Sequence, residues 1–469
     1  MSSSRSSGLR EKTLTVVSVL LVGLVALAGF SSAARANLPE ADPVPEIINV
    51  DGPIADTPEG AELLSLTARY QAQATAGETE EALELAKQIV AVSSQLWGEQ
   101  SPQLASALTN LAIAQIDAGD IEAAQQNFLG AISMRELYSS SIIDPELMNP
   151  LRGLAKTMVA MNAIEEAIPV YERAIHVSHV NLGPNNLEQM DLMGALSRAY
   201  FELGEVRDSG KIRDNLYRLQ LRNFDKESDQ YLDAVLSRAR WFASIGDFNS
   251  SLLAYKRYFT IVNSRFGKDD KRLVMPMVEL AFVTDDPTTT ERGDLSAQVQ
   301  QREKERAIAR ATRVAEAHKD EDPVLYAQTM AKKGDFAIAF PQIGTPRNAR
   351  IPYRIAWETL SKSPELIRVR DELFEEPVAV RLVPIVTTPD NTTNSRQEMA
   401  LYQERGFVNL SFDVNRFGRP VNIAVIESEP AGLMDGIVIR RFRNYRFRPA
   451  IRNGSPVATT GMSFRHDFR

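Results

Sequence analysis

The chain has no cysteine among its 469 residues. That excludes disulfides, thiolate metal sites, a cysteine nucleophile and a lipid-modified N-terminal cysteine. Histidine is scarce too, at four, which leaves little material for imidazole chemistry. No G-x-S-x-G, P-loop, H-E-x-x-H or dinucleotide glycine fingerprint occurs, so we expect no enzyme activity, no cofactor and no metal. Positive charge is in deficit: the net charge of -8 argues against a nucleic-acid binder. Tryptophan is limited to Trp97, Trp241 and Trp357, which fall in or near helical patterns and suit core or turn packing. What remains is an ordinary globular composition, 44% hydrophobic and 24% charged, with length for two to four domains.

The N-terminus has the three parts of an export signal. Arg5, Arg10 and Lys12 form a basic head, Thr13 to Phe30 is uncharged and mostly apolar, and Ala34-Arg35-Ala36 is an A-x-A exit. This predicts export, with cleavage before Asn37 and a periplasmic location. The other reading keeps the run as a single-pass inner-membrane anchor, since its eighteen residues lie at the lower limit for spanning a bilayer. Membrane contact is expected only in that case. Residues 37–57 read as a linker.

A repeat fills the middle. Gly77, Gly119, Asn162, Gly204 and Gly246 are spaced by 42 or 43 residues. Seven positions before them stand Tyr70, Ala112, Ala155, Ser197 and Ala239, and five after stand Ala82, Ala124, Ala167, Ser209 and Ser251. Nine after come Ala86, Phe128, Tyr171, Arg213 and Tyr255, among which Arg213 is the plain departure. Small side chains let two helices approach, and an aromatic fills the space left over. The glycine ends the first helix with positive φ, a conformation that asparagine tolerates best among the other residues. Asp120, Glu205 and Asp247 suit the start of the following helix.

This pattern resembles the tetratricopeptide repeat (TPR), in the longer form found in kinesin light chains, since the family's usual period is about 34. The resemblance implies an α-solenoid of helix pairs, which we place at 58–363, serving as a protein-binding surface or a spacer. The register weakens at Thr284 to Thr290, where the turn is replaced. Residues 298–319 read as a charged helix. A last repeat follows with Phe336-Ala337, Gly344, Ala349 and Tyr353.

Residues 364–397 are proline-studded and then polar, a linker signature. Beyond them the apolar period becomes two: Val408, Leu410, Phe412 and Val414, then Val421, Ile423 and Val425. Leu433 to Phe442 returns to helical spacing. Tyr445 to Pro449 is extended, Asn453-Gly454 marks a turn, and Met462, Phe464 and Phe468 lie on a last alternating strand.

Gly406-Phe407-Val408, Phe412-Asp413-Val414, Gly418-Arg419, Ser428-Glu429-Pro430, Tyr445-Arg446-Phe447-Arg448-Pro449 and Gly454-Ser455-Pro456-Val457 resemble, in order and spacing, the TonB C-terminal domain. The resemblance covers about 398–469. It implies a mainly α chain ending in a small α+β domain with an antiparallel sheet, which binds outer-membrane transporters by pairing a strand with a short transporter segment. By the family's strand order the last strand is an edge, so Val457, Thr459, Thr460, Met462, Phe464 and His466 are the expected partner-binding positions. The chain departs from the family in three ways. No Tyr-Pro element precedes the first strand, the 13–30 run has no histidine, and the repeats stand where the family has a proline-rich spacer.

Arg440, Arg441, Arg443, Arg446 and Arg448 form a basic cluster, read as a solvated face that in part meets acidic groups on a partner. His176 and His179, with Glu172 one turn away, are too few for a metal site and read as structural. Glu165-Glu166 suits a helix start rather than acid catalysis. The expected function is a periplasmic adaptor. The helices bind an unknown protein and the C-terminal domain an outer-membrane transporter. The alternatives are a membrane-anchored energy transducer of the TonB type, and an envelope enzyme with a site in 284–323.

Overall fold

The computed structural model describes residues 42–48, 50, 54–283, 297–340, 346–382 and 406–468. The export signal and its cleavage site, the turn replacement at 284–290 and Gly344 lie outside the described residues. The chain divides into two compact units, Arg35–Arg238 and Ala239–Arg469.

The first unit stacks helices in antiparallel pairs of the TPR type: α1 (Pro58–Ala76), α2 (Thr79–Trp97), α3 (Pro102–Asp117), α4 (Ile121–Ser139), α5 (Met148–Ala160), α6 (Ile164–Leu182), α7 (Gln189–Glu202) and α8 (Val206–Asn223). The helix starts follow side-chain chemistry. Thr57 and Ser101 cap the amides of Gly60 and Leu104 at 3.0 and 3.1 Å, each just ahead of a proline that needs no donor. Asp120 caps Ala123, whereas Glu205 makes no side-chain cap.

The turns between paired helices close through left-handed residues. Gly77, Gly119 and Gly204 have φ of 77°, 81° and 80°, and Asn162 has φ of 61°. At Asn162 the next amide, Ala163, returns to the Met158 carbonyl at 2.8 Å, as Asp120 does to Gln115. These are the carbonyls a helix C-terminus would otherwise leave unpaired. A β-branched residue here pays the left-handed penalty in full. Asn162→Val should therefore lower the stability of this unit by about 1–2 kcal/mol, while Asn162→Gly should stay within about 0.5 kcal/mol of the parent. Urea unfolding followed by circular dichroism decides between these outcomes.

Between helices, size complementarity dominates. Ala112, Ala124, Phe128, Ala155, Ala167 and Ala174 are fully buried. A Cβ on Gly153 would lie 2.2 Å from the Phe128 ring, so the aromatic occupies the space the glycine leaves. The departure at Arg213 has a local cause. In its repeat both small positions are serines, and Ser197 and Ser209 hydrogen-bond to each other at 2.9 Å. Arg213 Nε donates to Ser197 at 3.0 Å. A buried polar network thus replaces the usual alanines and aromatic, and burial pulls the Arg213 guanidinium down to about 10.

The boundary between the units falls within α9 (Asp229–Ser244). The second unit continues with α10 (Phe248–Phe266), α11 (Val274–Phe282), α12 (Ala297–Ala317), α13 (Pro323–Ala339) and α14 (Arg350–Leu360). Gly246 repeats the left-handed turn at φ 74°, and Asp247 caps Ser250. Tyr353 packs over Gly334, where a Cβ would meet its ring at 2.4 Å.

The expected linker at 364–397 is corrected over its first half. Residues 364–374 form α15 (Pro364–Phe374), and β1 (Val378–Arg381) follows. Pro364 opens the helix at N1, where proline is favoured, rather than breaking structure. Phe374 is fully buried with Tyr353 and Leu360. The expected linker at 37–57 is likewise corrected over its described residues. Pro43, Ile48 and Val50 are buried, and Ile54 to Thr57 lead into the α1 cap.

Candidate functional site

The C-terminal elements are β2 (Gly406–Val414), β3 (Pro420–Glu429), α16 (Asp435–Phe442), β4 (Arg446–Arg448), β5 (Ile451–Arg452), β6 (Ser455–Pro456) and β7 (Thr459–Phe468). Strands β3, β2 and β7 form one antiparallel sheet in that order, β1 pairs with β4, and β5 pairs with β6 across the Asn453-Gly454 turn. The period of two in β2 sends Val408, Leu410, Phe412 and Val414 into the core, where Val438 and Phe442 of α16 cover them. Phe442 is the hub, with ring centroids 4.7 Å from Phe412, 4.8 Å from Tyr445 and 4.8 Å from Phe464.

β7 pairs with β2 on one side, and among the described residues no strand pairs with its other side. Ten residues of edge offer their outward amides and carbonyls over about 30 Å. The register divides the expected positions. Met462 faces Phe412, Phe464 faces Leu410 and His466 faces Val408, so these three side chains lie on the core face of the sheet. Ser463, Arg465 and Asp467 are exposed on the opposite face, as is Thr460. Thr459 is half-buried opposite Val414, and Val457 precedes the strand, its amide donating to Ala450 at 2.9 Å. What β7 leaves open along its outer edge is therefore main chain, with side chains above and below it. His466 is half-buried, its Nε2 has no hydrogen-bond partner, and burial lowers its pKa. Arg465 lies 3.9 Å over the Phe407 ring and donates to Asp467, which fixes the outer face.

The basic cluster is split by the structure. Arg440, Arg441 and Arg443 are exposed at the C-terminal end of α16, where cations suit the helix dipole. Arg446 is half-buried, and burial with the neighbouring Arg419 and Arg381 charges lowers its pKa. Arg448 is not on the surface at all. At 2% exposure it donates through Nε and Nη2 to both oxygens of Asp335 on α13, each at 2.8 Å, and through Nη1 to the Leu373 carbonyl. Tyr353 donates to the same carboxylate at 2.9 Å. Sequence reasoning missed this anchor. The available signal was the alternation in Arg446-Phe447-Arg448, which puts the arginines and the phenylalanine on opposite faces of one strand.

His176 and His179 are exposed, and Glu172 accepts from Tyr200 at 2.9 Å. Among the described residues no group of three His, Asp or Glu could hold a metal, and no helix is long and apolar enough to cross a membrane.

Residues 397–469 match the family described as the Gram-negative bacterial TonB protein C-terminal. Similar solved structures include the nearly identical TPR-like repeats of a kinesin light chain protein from Podosopora anserina, at 18% identity over 45% of this chain and 99% of that one, with a TM-score of 0.40. A second is BtubC (BKLC) from P. vanneervenii, at 14% identity over 52% of this chain and 91% of that one, with a TM-score of 0.39. A third is a tetratricopeptide repeat protein from Parabacteroides merdae, at 16% identity over 66% and 98%, with a TM-score of 0.36. No curated protein matches the chain.

Proposed function

We propose that this chain is a non-enzymatic adaptor of the Gram-negative cell envelope. Its repeats hold one protein, and its TonB-like domain engages an outer-membrane TonB-dependent transporter by adding a transporter strand to β7. The open edge of β7, in a segment that matches the TonB C-terminal family, carries this reading. Main-chain pairing supplies the affinity, and the alternating side chains of β7 supply selectivity. The export signal would deliver the chain to the periplasm, with mature protein starting at Asn37. Arg440, Arg441 and Arg443 would attract acidic groups beside the paired segment.

The absence of cysteine makes the test direct. Single cysteines are placed at Thr460, Met462, Phe464 and His466 in turn, and a cysteine is walked along the plug-proximal segment of a co-expressed transporter. Strand pairing brings opposed Cα atoms to about 4.5–5.5 Å, within disulfide reach. Cross-links should therefore appear with a two-residue period and shift in register as the β7 cysteine moves. Absence of cross-linking along β7, with transporter still captured by the chain, would reject edge pairing.

A further inference from the structure

Residues 42–48 and 50 lie extended across the first helices of three successive pairs, and the main chain there is recognised by side chains. Asn110 on α3 accepts from the Glu46 amide at 2.6 Å and donates to the Glu46 carbonyl at 2.9 Å. Asn149 on α5 does the same for Val44, at 3.0 and 2.8 Å. Residues two apart in an extended chain turn the same backbone edge to these two amides. Each asparagine thus stands in for a neighbouring strand and reads backbone rather than sequence.

Charge supplies the selectivity. The Glu46 carboxylate pairs with Arg135, itself 4% exposed, and accepts from Asn149 at 3.1 Å. Ser106 and Glu146 hold the same guanidinium. Four residues earlier, Asp42 pairs with Lys156, and its carbonyl accepts from Arg152 at 3.4 Å. Ile48 and Val50 enter the core with Leu63, Leu66 and Tyr70 of α1. The fit is incomplete. Ile47 is 74% exposed beside a cleft of about 240 Å³ that Arg135 and Tyr138 line, and Tyr138 and Ile142 are exposed close by in the chain.

We infer that this helix face is a peptide-binding site held in the resting chain by its own 42–50 segment, and that its partner is an extended protein segment of the same chemistry. That segment carries two carboxylates four residues apart for Lys156 and Arg135. Apolar side chains follow two and four residues after the second carboxylate, and a side chain larger than isoleucine comes directly after that carboxylate, to fill the cleft. Partner binding and release of the strap are one event. The inference rests on reading the repeats as a protein-binding module and does not involve β7.

The probe is a fluorescein-labelled peptide with the sequence of residues 42–50, titrated by anisotropy against the full chain and against a Glu46→Arg, Ile48→Asp variant. Both changes lie in the strap and leave the helix face intact. The variant should bind the peptide at least tenfold more tightly than the parent, and reversing the charge of the peptide's own glutamate should abolish that gain. A variant with parental circular dichroism that does not bind the peptide overturns the inference, because the strap is then a permanent brace. Should the variant fail to fold, hydrogen exchange on the parent chain decides. Excess unlabelled peptide should speed exchange at the Val44 and Glu46 amides at least tenfold, and unchanged protection overturns the inference. Cross-linking at β7 reports on transporter pairing alone, so either reading can fail without the other.

Discussion

Replacing Asp335 by alanine should destabilise the Ala239–Arg469 unit by about 3–5 kcal/mol, the cost of leaving a buried charge without its counter-ion. Asp335 is fully buried, and the Arg448 guanidinium opposite it is 2% exposed, so water can replace neither partner. The truncation also strips an acceptor from the Tyr353 hydroxyl. Asp335→Leu combined with Arg448→Met removes both charges and should cost less than either single change, since an apolar pair of similar volume has no desolvation to repay. Urea unfolding of the parent, Asp335→Leu, Arg448→Met and the double variant gives the coupling directly. A single Asp335→Ala cost below about 1 kcal/mol would mean that the pair is not closed in solution.

The same carboxylate sets a pH dependence of defined sign. Burial alone would raise its pKa. The Arg448 and Lys332 charges, with hydrogen bonds from Arg448 and Tyr353, outweigh burial and hold it below the usual carboxylate range. A carboxylate depressed in the folded state contributes stability that is present above its unfolded pKa of about 3.9 and is lost as pH falls through the folded pKa. The urea midpoint should hold as pH falls to about 4 and then drop, and Asp335→Asn should flatten that drop.

The repeat turns and strand β2 were legible in the sequence because each rests on a short period. A left-handed residue every 42 or 43 positions and an apolar residue every second position need no knowledge of distant contacts. Even the departure at Arg213 carried its explanation, since Ser197 and Ser209 replace alanine in the same repeat. The Arg448–Asp335 anchor had no such signature. Its partners are 113 residues apart, one in a helix and one in a run of arginines that reads as surface. The strap was hidden for a related reason. Pro43 and Pro45 exclude helix and β-ladder alike, which is also how a linker reads. Asn110 and Asn149 lie outside the positions that define the repeat, so nothing in its pattern shows that the segment has somewhere to lie. Residues 364–382 were misread because proline at a helix start looks like proline in a loop until the helix behind it is seen.

Gly418→Ala should be about as damaging as losing the ion pair, and for a steric reason. Gly418 turns the chain from β2 into β3 at φ 73°. A Cβ there would lie 1.9 Å from the Phe447 carbonyl oxygen and 3.2 Å from Ile338 of α13. The nearest obstacle is backbone, so no rotamer change relieves it. The Phe447 amide meanwhile donates to the Gly418 carbonyl at 2.9 Å, so moving the turn away gives up that bond. Left-handed strain contributes about 1–2 kcal/mol, and displaced packing about 1–3 kcal/mol more. The turn also sits on β4, the strand that holds Arg448 against Asp335 and Phe447 against the Phe412–Phe442 cluster. Lifting it should loosen both faces of β4 together. Hydrogen exchange in Gly418→Ala should accelerate at the Phe447 amide and across the β1–β4 pair, while amides in α1 to α6 stay at parental rates. Equal acceleration in the two units would show that the turn acts through global stability rather than by clamping β4.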